Sequence, residues 1–242
     1  PIRARLLSQT SHFSASAESH PNMKALVPIT SAVLGTTAVG VYLFRQNLKS
    51  RISINAQHGH LPRSISSNIT TAPDEVFTEQ TVAVFDSASI SVPRGKLPAL
   101  PTEELLTRLM RRNMSSFTRL PQAYILRAMS TEAEKPSFKA ANIERLDFKE
   151  GDLVCGTYRV ILRTPGKVEF QLKPMGAVRG RLVTTITEKD DRMVIMNETL
   201  MWKPKGEKGV MPLETAVGKW MHELTAWWML DSGVKYLMNL KN

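Results

Sequence analysis

The chain has 242 residues, of which 42% are hydrophobic and 22% charged, with a formal net charge of +10. One cysteine excludes a disulfide framework, and no Cys/His group has zinc-site spacing. An aromatic content of 7%, with 13 glycines and 14 prolines, excludes collagen-like and wholly disordered chains.

The positive charge is unevenly placed. Pro1 to Pro73 holds seven Lys/Arg and one acidic residue, a net +6, whereas the remainder holds 25 basic and 21 acidic residues, a net +4. A nucleic-acid-binding domain concentrates a basic stripe interleaved with aromatics. The densest basic cluster here, Arg108, Arg111 and Arg112, reads instead as a solvated helix face, and no nucleic-acid partner is expected.

In chain order, residues 1–24 form an amino-terminal extension rich in Arg and Ser with one acidic residue, the composition of a mitochondrial presequence. Met23, directly before the apolar run, is an alternative start. Ala25 to Phe44 is a stretch of 20 residues without a charge, about the length that spans a ~30 Å hydrocarbon core. Residues 25–45 are therefore predicted as a single transmembrane anchor, with Tyr42 and Phe44 at the interface. Arg45, Lys49 and Arg51 outweigh Lys24, which places the large domain in the cytosol at the endoplasmic reticulum, a mitochondrial membrane being the alternative. Residues 46–73 are polar and Pro-containing and read as a linker.

Residues 74–242 read as one α+β domain. A strand is clearest at Thr81 to Phe85, and a helix starts at Pro101-Thr102-Glu103-Glu104, with Thr102 as its cap and Leu106, Leu109, Met110 and Phe117 at helical spacing. Four strands follow, over 153–163, 168–173, 181–188 and 193–203. The turn signals Thr164-Pro-Gly166, Pro174-Met-Gly176 and Lys189-Asp-Asp191 separate them and predict an antiparallel meander. A final helix presents Leu213, Val217, Trp220, Met221, Leu224 and Trp228 on one face, and Asp231-Ser-Gly233 is expected to end it.

Catalytic signatures are sparse. The chain lacks a G-x-S-x-G elbow, a Walker loop and a G-x-G-x-x-G turn, and His222-Glu223 begins an H-E-x-x-H pattern without its second histidine. Neither cofactor nor metal is expected. Period-two alternation puts Val194, Met196, Glu198, Leu200 and Trp202 on one face of the fourth meander strand. If that face is the interior, Glu198 is a carboxylate in an apolar lining, with a raised pKa suited to general-base work. Tyr158, Val160 and Leu162 share a face on the first meander strand, and Val168, Phe170 and Leu172 on the second. Arg159, Arg163 and Glu169 fall on the opposite faces as surface charge. Cys155 reads as a small core residue rather than a nucleophile.

A curved antiparallel sheet closed by a long carboxyl-terminal helix resembles the helix-grip (SRPBCC-like) fold of START-like and polyketide-cyclase-like proteins. The stretches ANIERLDFKEGDLVCGTYRVI (141–161) and KWMHELTAWWMLDSGVKYL (219–237) look like a type of filamentous-fungal protein, some of which are similar to pyrone-forming enzymes of aurovertin-like polyketide pathways. The resemblance implies a membrane-anchored enzyme that releases and lactonises a polyketide as an α-pyrone, in partnership with a polyketide synthase. Glu198 would be its base, assisted by His222 or Tyr158, with Trp202, Phe170, Trp228 and Met196 lining an apolar pocket. The competing expectation is a non-enzymatic, tethered lipid-binding module or mitochondrial assembly factor. Convergence of Glu198 and His222 in one pocket separates the two.

Overall fold

The computed structural model describes residues 39–240, and the chain divides into two units, Pro1–Phe44 and Arg45–Asn242. The predicted presequence and residues 25–38 of the predicted anchor lie outside the described residues. Residues 39–49 are helical (α1), and among the described residues no helix is long and apolar enough to cross a membrane.

The second unit is an α+β fold. Strands β1 (Ser53–Gly59), β2 (Thr81–Pro93), β3 (Leu153–Val154), β4 (Tyr158–Thr164), β5 (Lys167–Leu172), β6 (Arg179–Lys189) and β7 (Arg192–Pro204) form one open antiparallel sheet in the order β1-β2-β7-β6-β5-β4-β3. Helices α2 (Thr102–Phe117), α3 (Pro121–Ala128) and α4 (Ala140–Ile143) fall between β2 and β3, and α5 (Ala216–Asn239) follows β7.

The meander arises where it is predicted, because its turns are chemically suited to reversal. Thr164 pairs with Lys167 around Pro165-Gly166, and Lys189 pairs with Arg192 around Asp190-Asp191, so both hairpins close with two-residue loops. Cys155 and Gly156, with φ of 49° and 60°, turn β3 into β4 in the left-handed region. A side chain at Gly156 would also run into Ser130 and Phe138, so both its φ and its surroundings require glycine.

On one face, α2 and α5 cover the sheet, and Leu105, Leu109, Phe148, Phe170, Ile195, Trp227 and Leu230 fill the space between. Helix α2 has Pro101 rather than Thr102 at its N-cap. Thr215 caps α5 by accepting a 3.0 Å hydrogen bond from the Gly218 amide. Asp231-Ser232-Gly233 does not end α5, which continues to Asn239. Gly233 marks instead the close approach of α2: a Cβ there would stand 2.6 Å from Leu109 and 2.7 Å from Asn113.

Residues 46–73, expected as a linker, belong to the folded unit. Leu48 and Ile52 are buried in the helix-side core, and β1 pairs along β2. Residues 60–77 then strap the opposite face of the sheet, where Leu61, Ile69, Ala72 and Val76 pack on Ala83, Phe85, Val183, Leu200 and Trp202. The sheet is thus covered on both faces, and the strap makes a second core.

Candidate active site

Strand alternation sorts side chains between these two coverings. On β2, Val84, Asp86 and Ala88 face the helices, while Ala83, Phe85 and Ser87 face the strap. Cross-strand pairing carries this to β7: Asp86 opposes Thr199, and Ser87 opposes Glu198. Asp86 is therefore an acid placed on the helix side, near the amino-terminal half of α5.

There His222 meets it, with Nε2 at 3.0 Å from Asp86 Oδ2. The pair stands in a cleft of about 220 Å³ between β1, β2 and the start of α5, whose walls include Gln57, His58, Glu214 and Lys219. Asp86 is buried and His222 half-buried, so the carboxylate anchors the ring and leaves it open to the cleft. A carboxylate only accepts, so Nε2 is the donor in this contact, and Nδ1 has no partner among the described residues.

The surrounding charges are arranged by the fold. Glu223 is buried and holds Arg45 at 2.6 Å, and the Arg45 guanidinium lies 5.0 Å from the Trp227 ring centroid. Glu214 accepts from the Met211 amide at 3.1 Å and pairs with Lys203 at 3.2 Å and His58 at 3.4 Å. Burial alone would raise the Glu214 pKa, but the Met211 amide, Lys203 and His58 outweigh it and hold the carboxyl below its usual range. Lys219, three residues before His222 on α5, is exposed, and its ammonium has no partner among the described residues.

Glu198 does not join this cleft. Period two correctly groups Met196, Glu198, Leu200 and Trp202, but their face is the one under the strap. Glu198 accepts from Ser66 Oγ at 3.0 Å, and burial pushes its pKa up. His222 lies on the other side of the sheet, so the two residues do not converge. Tyr158 is four strands from β2 in sheet order, about 19 Å at the usual strand spacing. It is packed 5.8 Å from Phe117 and 6.3 Å from Phe170 between ring centroids, and burial raises its hydroxyl well above the usual phenol range.

The four expected lining residues are likewise divided. Phe170 is part of the helix-side core, and Trp228 on α5 stacks beneath Arg112 at 5.5 Å. Trp202 and Met196 face the strap, Trp202 under Arg181 at 5.3 Å and Met196 Sδ at 3.5 Å from Asn68 Nδ2. They do not line one pocket. Of the expected surface charges, Glu169 is fully buried, because Thr70 and Thr71 of the strap bind it. A bulge between Val160 and Leu162 turns Arg163 to the helix side, where it donates to Thr107 Oγ1 at 2.8 Å. Cys155 is buried, and burial pushes its thiol up to about 12, which makes it inert as a nucleophile.

Asp86 was the residue that spacing alone did not single out, although an acid ending the apolar run Val82-Ala-Val-Phe85 is a legible signal. Among the described residues, no group of three or more His, Cys, Asp and Glu is placed to hold a metal ion.

No family model matches the chain, and no curated protein matches it. Among solved structures it is similar to the crystal structure of CalU16 from Micromonospora echinospora. The identity is 10% and the TM-score 0.33, over 78% of this chain and 92% of that one. That likeness is too distant to assign a family.

Proposed function

We propose that the chain is a helix-grip-type acid–base enzyme in which His222, oriented by Asp86, is the base. The observation that carries this reading is the 3.0 Å His222–Asp86 contact in an open polar cleft. A carboxylate on one ring nitrogen fixes tautomer and orientation and stabilises the imidazolium formed on protonation. Lys219, on the same helix face, supplies a cation for a developing oxyanion.

The reaction we assign is lactonisation of an enolised polyketide thioester to an α-pyrone. His222 Nδ1 takes the enol proton as the enol oxygen attacks the thioester carbonyl, and returns it to the departing thiolate. The substrate would come from a polyketide synthase, with the segment over 25–45 as the membrane anchor of the cytosolic domain. The helix-side interior is occupied by Trp227, Phe148 and Phe170, which favours an enzyme with a surface cleft over an apolar-chain carrier.

The test is turnover of a short diketo N-acetylcysteamine thioester by the full chain. We expect His222→Gln to lower kcat by about 10²–10⁴, with Asp86→Asn also impaired and its pH–rate profile altered. Glu198→Gln should retain full activity. A folded His222→Gln chain that forms pyrone at the unaltered rate would sink the assignment.

A further inference from the structure

Helix α2 carries Arg108, Arg111 and Arg112, and Arg119 lies in the turn just past its carboxyl end. With Ser115 and Tyr236 they wall a groove of about 490 Å³. Arg111 and Arg112 stand three and four residues after Arg108, which brings them to the same side of the helix. Glu104 and Glu144 also border the groove, so four guanidinium groups face two carboxylates.

How each arginine is engaged decides what is left over. Arg108 pairs with Glu104 at 2.6 Å, and Arg111 bonds Asp147 at 3.0 Å and the Leu146 carbonyl at 2.8 Å. Arg112 pairs with no carboxylate among the described residues. Its Nη1 donates to Asn113 Oδ1 and Ser232 Oγ, each at 2.9 Å, and its guanidinium stacks on Trp228. Its Nε and Nη2 have no partner among the described residues, and burial lowers its pKa. Among the described residues, Arg119 is exposed with no partner for its side chain, and Ser115 Oγ is buried without one. A half-buried cation held only by neutral groups is uncompensated, and its planar fork matches a phosphoryl group.

We infer that this groove binds a phosphate-bearing molecule, with Arg112 and Arg119 as the chief contacts to the anion and Tyr236 beside them. Its volume falls in the range of small-molecule sites, about 300–1,000 Å³. The site is separate from the His222 cleft: Tyr236 lies 14 residues farther along α5, about 21 Å of helix.

Calorimetric titration of the full chain with inorganic pyrophosphate tests this, alongside flotation with phosphatidylcholine vesicles with and without phosphatidic acid. We expect saturable pyrophosphate binding that weakens as salt rises, and about a tenfold loss in Arg112→Gln and in Arg119→Gln, the effect of one charge-assisted hydrogen bond. The Arg119 side chain is exposed and has no hydrogen-bond or ion-pair partner among the described residues, so its variant keeps the test valid if Arg112→Gln fails to fold. If the natural ligand is a lipid headgroup, vesicle retention will also depend on phosphatidic acid and fall in the same variants. If it is a soluble phosphate ester, retention will be indifferent to both changes. Binding of both probes that is absent, or equal in wild type and variants, overturns the inference.

Discussion

Glu198 and Glu169 are buried carboxylates on one face of the sheet, and the strap treats them differently. Glu169 accepts four hydrogen bonds from the amides and hydroxyls of Thr70 and Thr71 and lies 3.5 Å from Lys167. Glu169→Ala should therefore cost about 3–5 kcal/mol in chemical denaturation, the loss on breaking a buried paired group. Glu198 has fewer partners, and burial raises its pKa. A raised folded-state pKa means that ionisation opposes folding. Its contribution is intact below the ordinary carboxylate range and is lost as pH rises through the displaced value. Glu198→Gln should thus melt higher than wild type at neutral pH, with the gap closing as pH falls below 4, roughly the unperturbed value. A gap that widens on acidification would contradict this. The pairing of Asp86 with His222 obeys the same rule that a buried polar group needs a partner, but here the partner is left half open to a cleft.

At the scale of elements, the strap and the α2–α5 crossing are the places where local sequence gives least warning. Leu61 and Ile69 are buried against Phe85, Leu200 and Trp202, so Leu61→Ala should cost about 2–5 kcal/mol, as truncation in a packed core does. A residue in a mobile linker would change stability by no more than a few tenths. At the crossing, Gly233→Val should destabilise by about 1–3 kcal/mol, because added volume must displace Leu109 and Asn113. A thermal melt of Gly233→Val with and without Leu109→Ala checks this, since trimming Leu109 should recover part of the loss. The amino-terminal end of the folded unit is tied to α5 by charge: Arg45 meets Glu223 at 2.6 Å and Arg51 meets Asp231 at 3.2 Å. Glu223, Trp227 and Asp231 are spaced by four, so one stripe of α5 receives the segment.

For the whole molecule, the boundary of the fold lies at Arg45 rather than near residue 73. A chain starting at residue 45 should melt cooperatively as a monodisperse species, whereas one starting at 73 should aggregate, since it exposes Phe85, Leu200 and the edge of β2. Size-exclusion chromatography and calorimetric melting distinguish them. Much of the architecture was determined by local chemistry: the meander by its Pro-Gly and Asp-Asp turns, α2 by its apolar spacing, and the grouping of Glu198 with Leu200 and Trp202 by strand alternation. The buried face of α5 was not: Trp227, Leu230, Val234 and Leu237 form it, whereas Val217 and Trp220 of the expected face are exposed and Leu213 precedes the helix. Alternation states which side chains share a face but not which covering that face receives. That choice depended on residues 60–77, whose irregularly spaced Leu61, Ile69 and Val76 have no period to read and become a core only against the finished sheet. The tertiary structure therefore decided that Glu198 lies under a strap, that Gly233 serves packing, and that Asp86 and His222, 136 residues apart in sequence, meet across the end of α5.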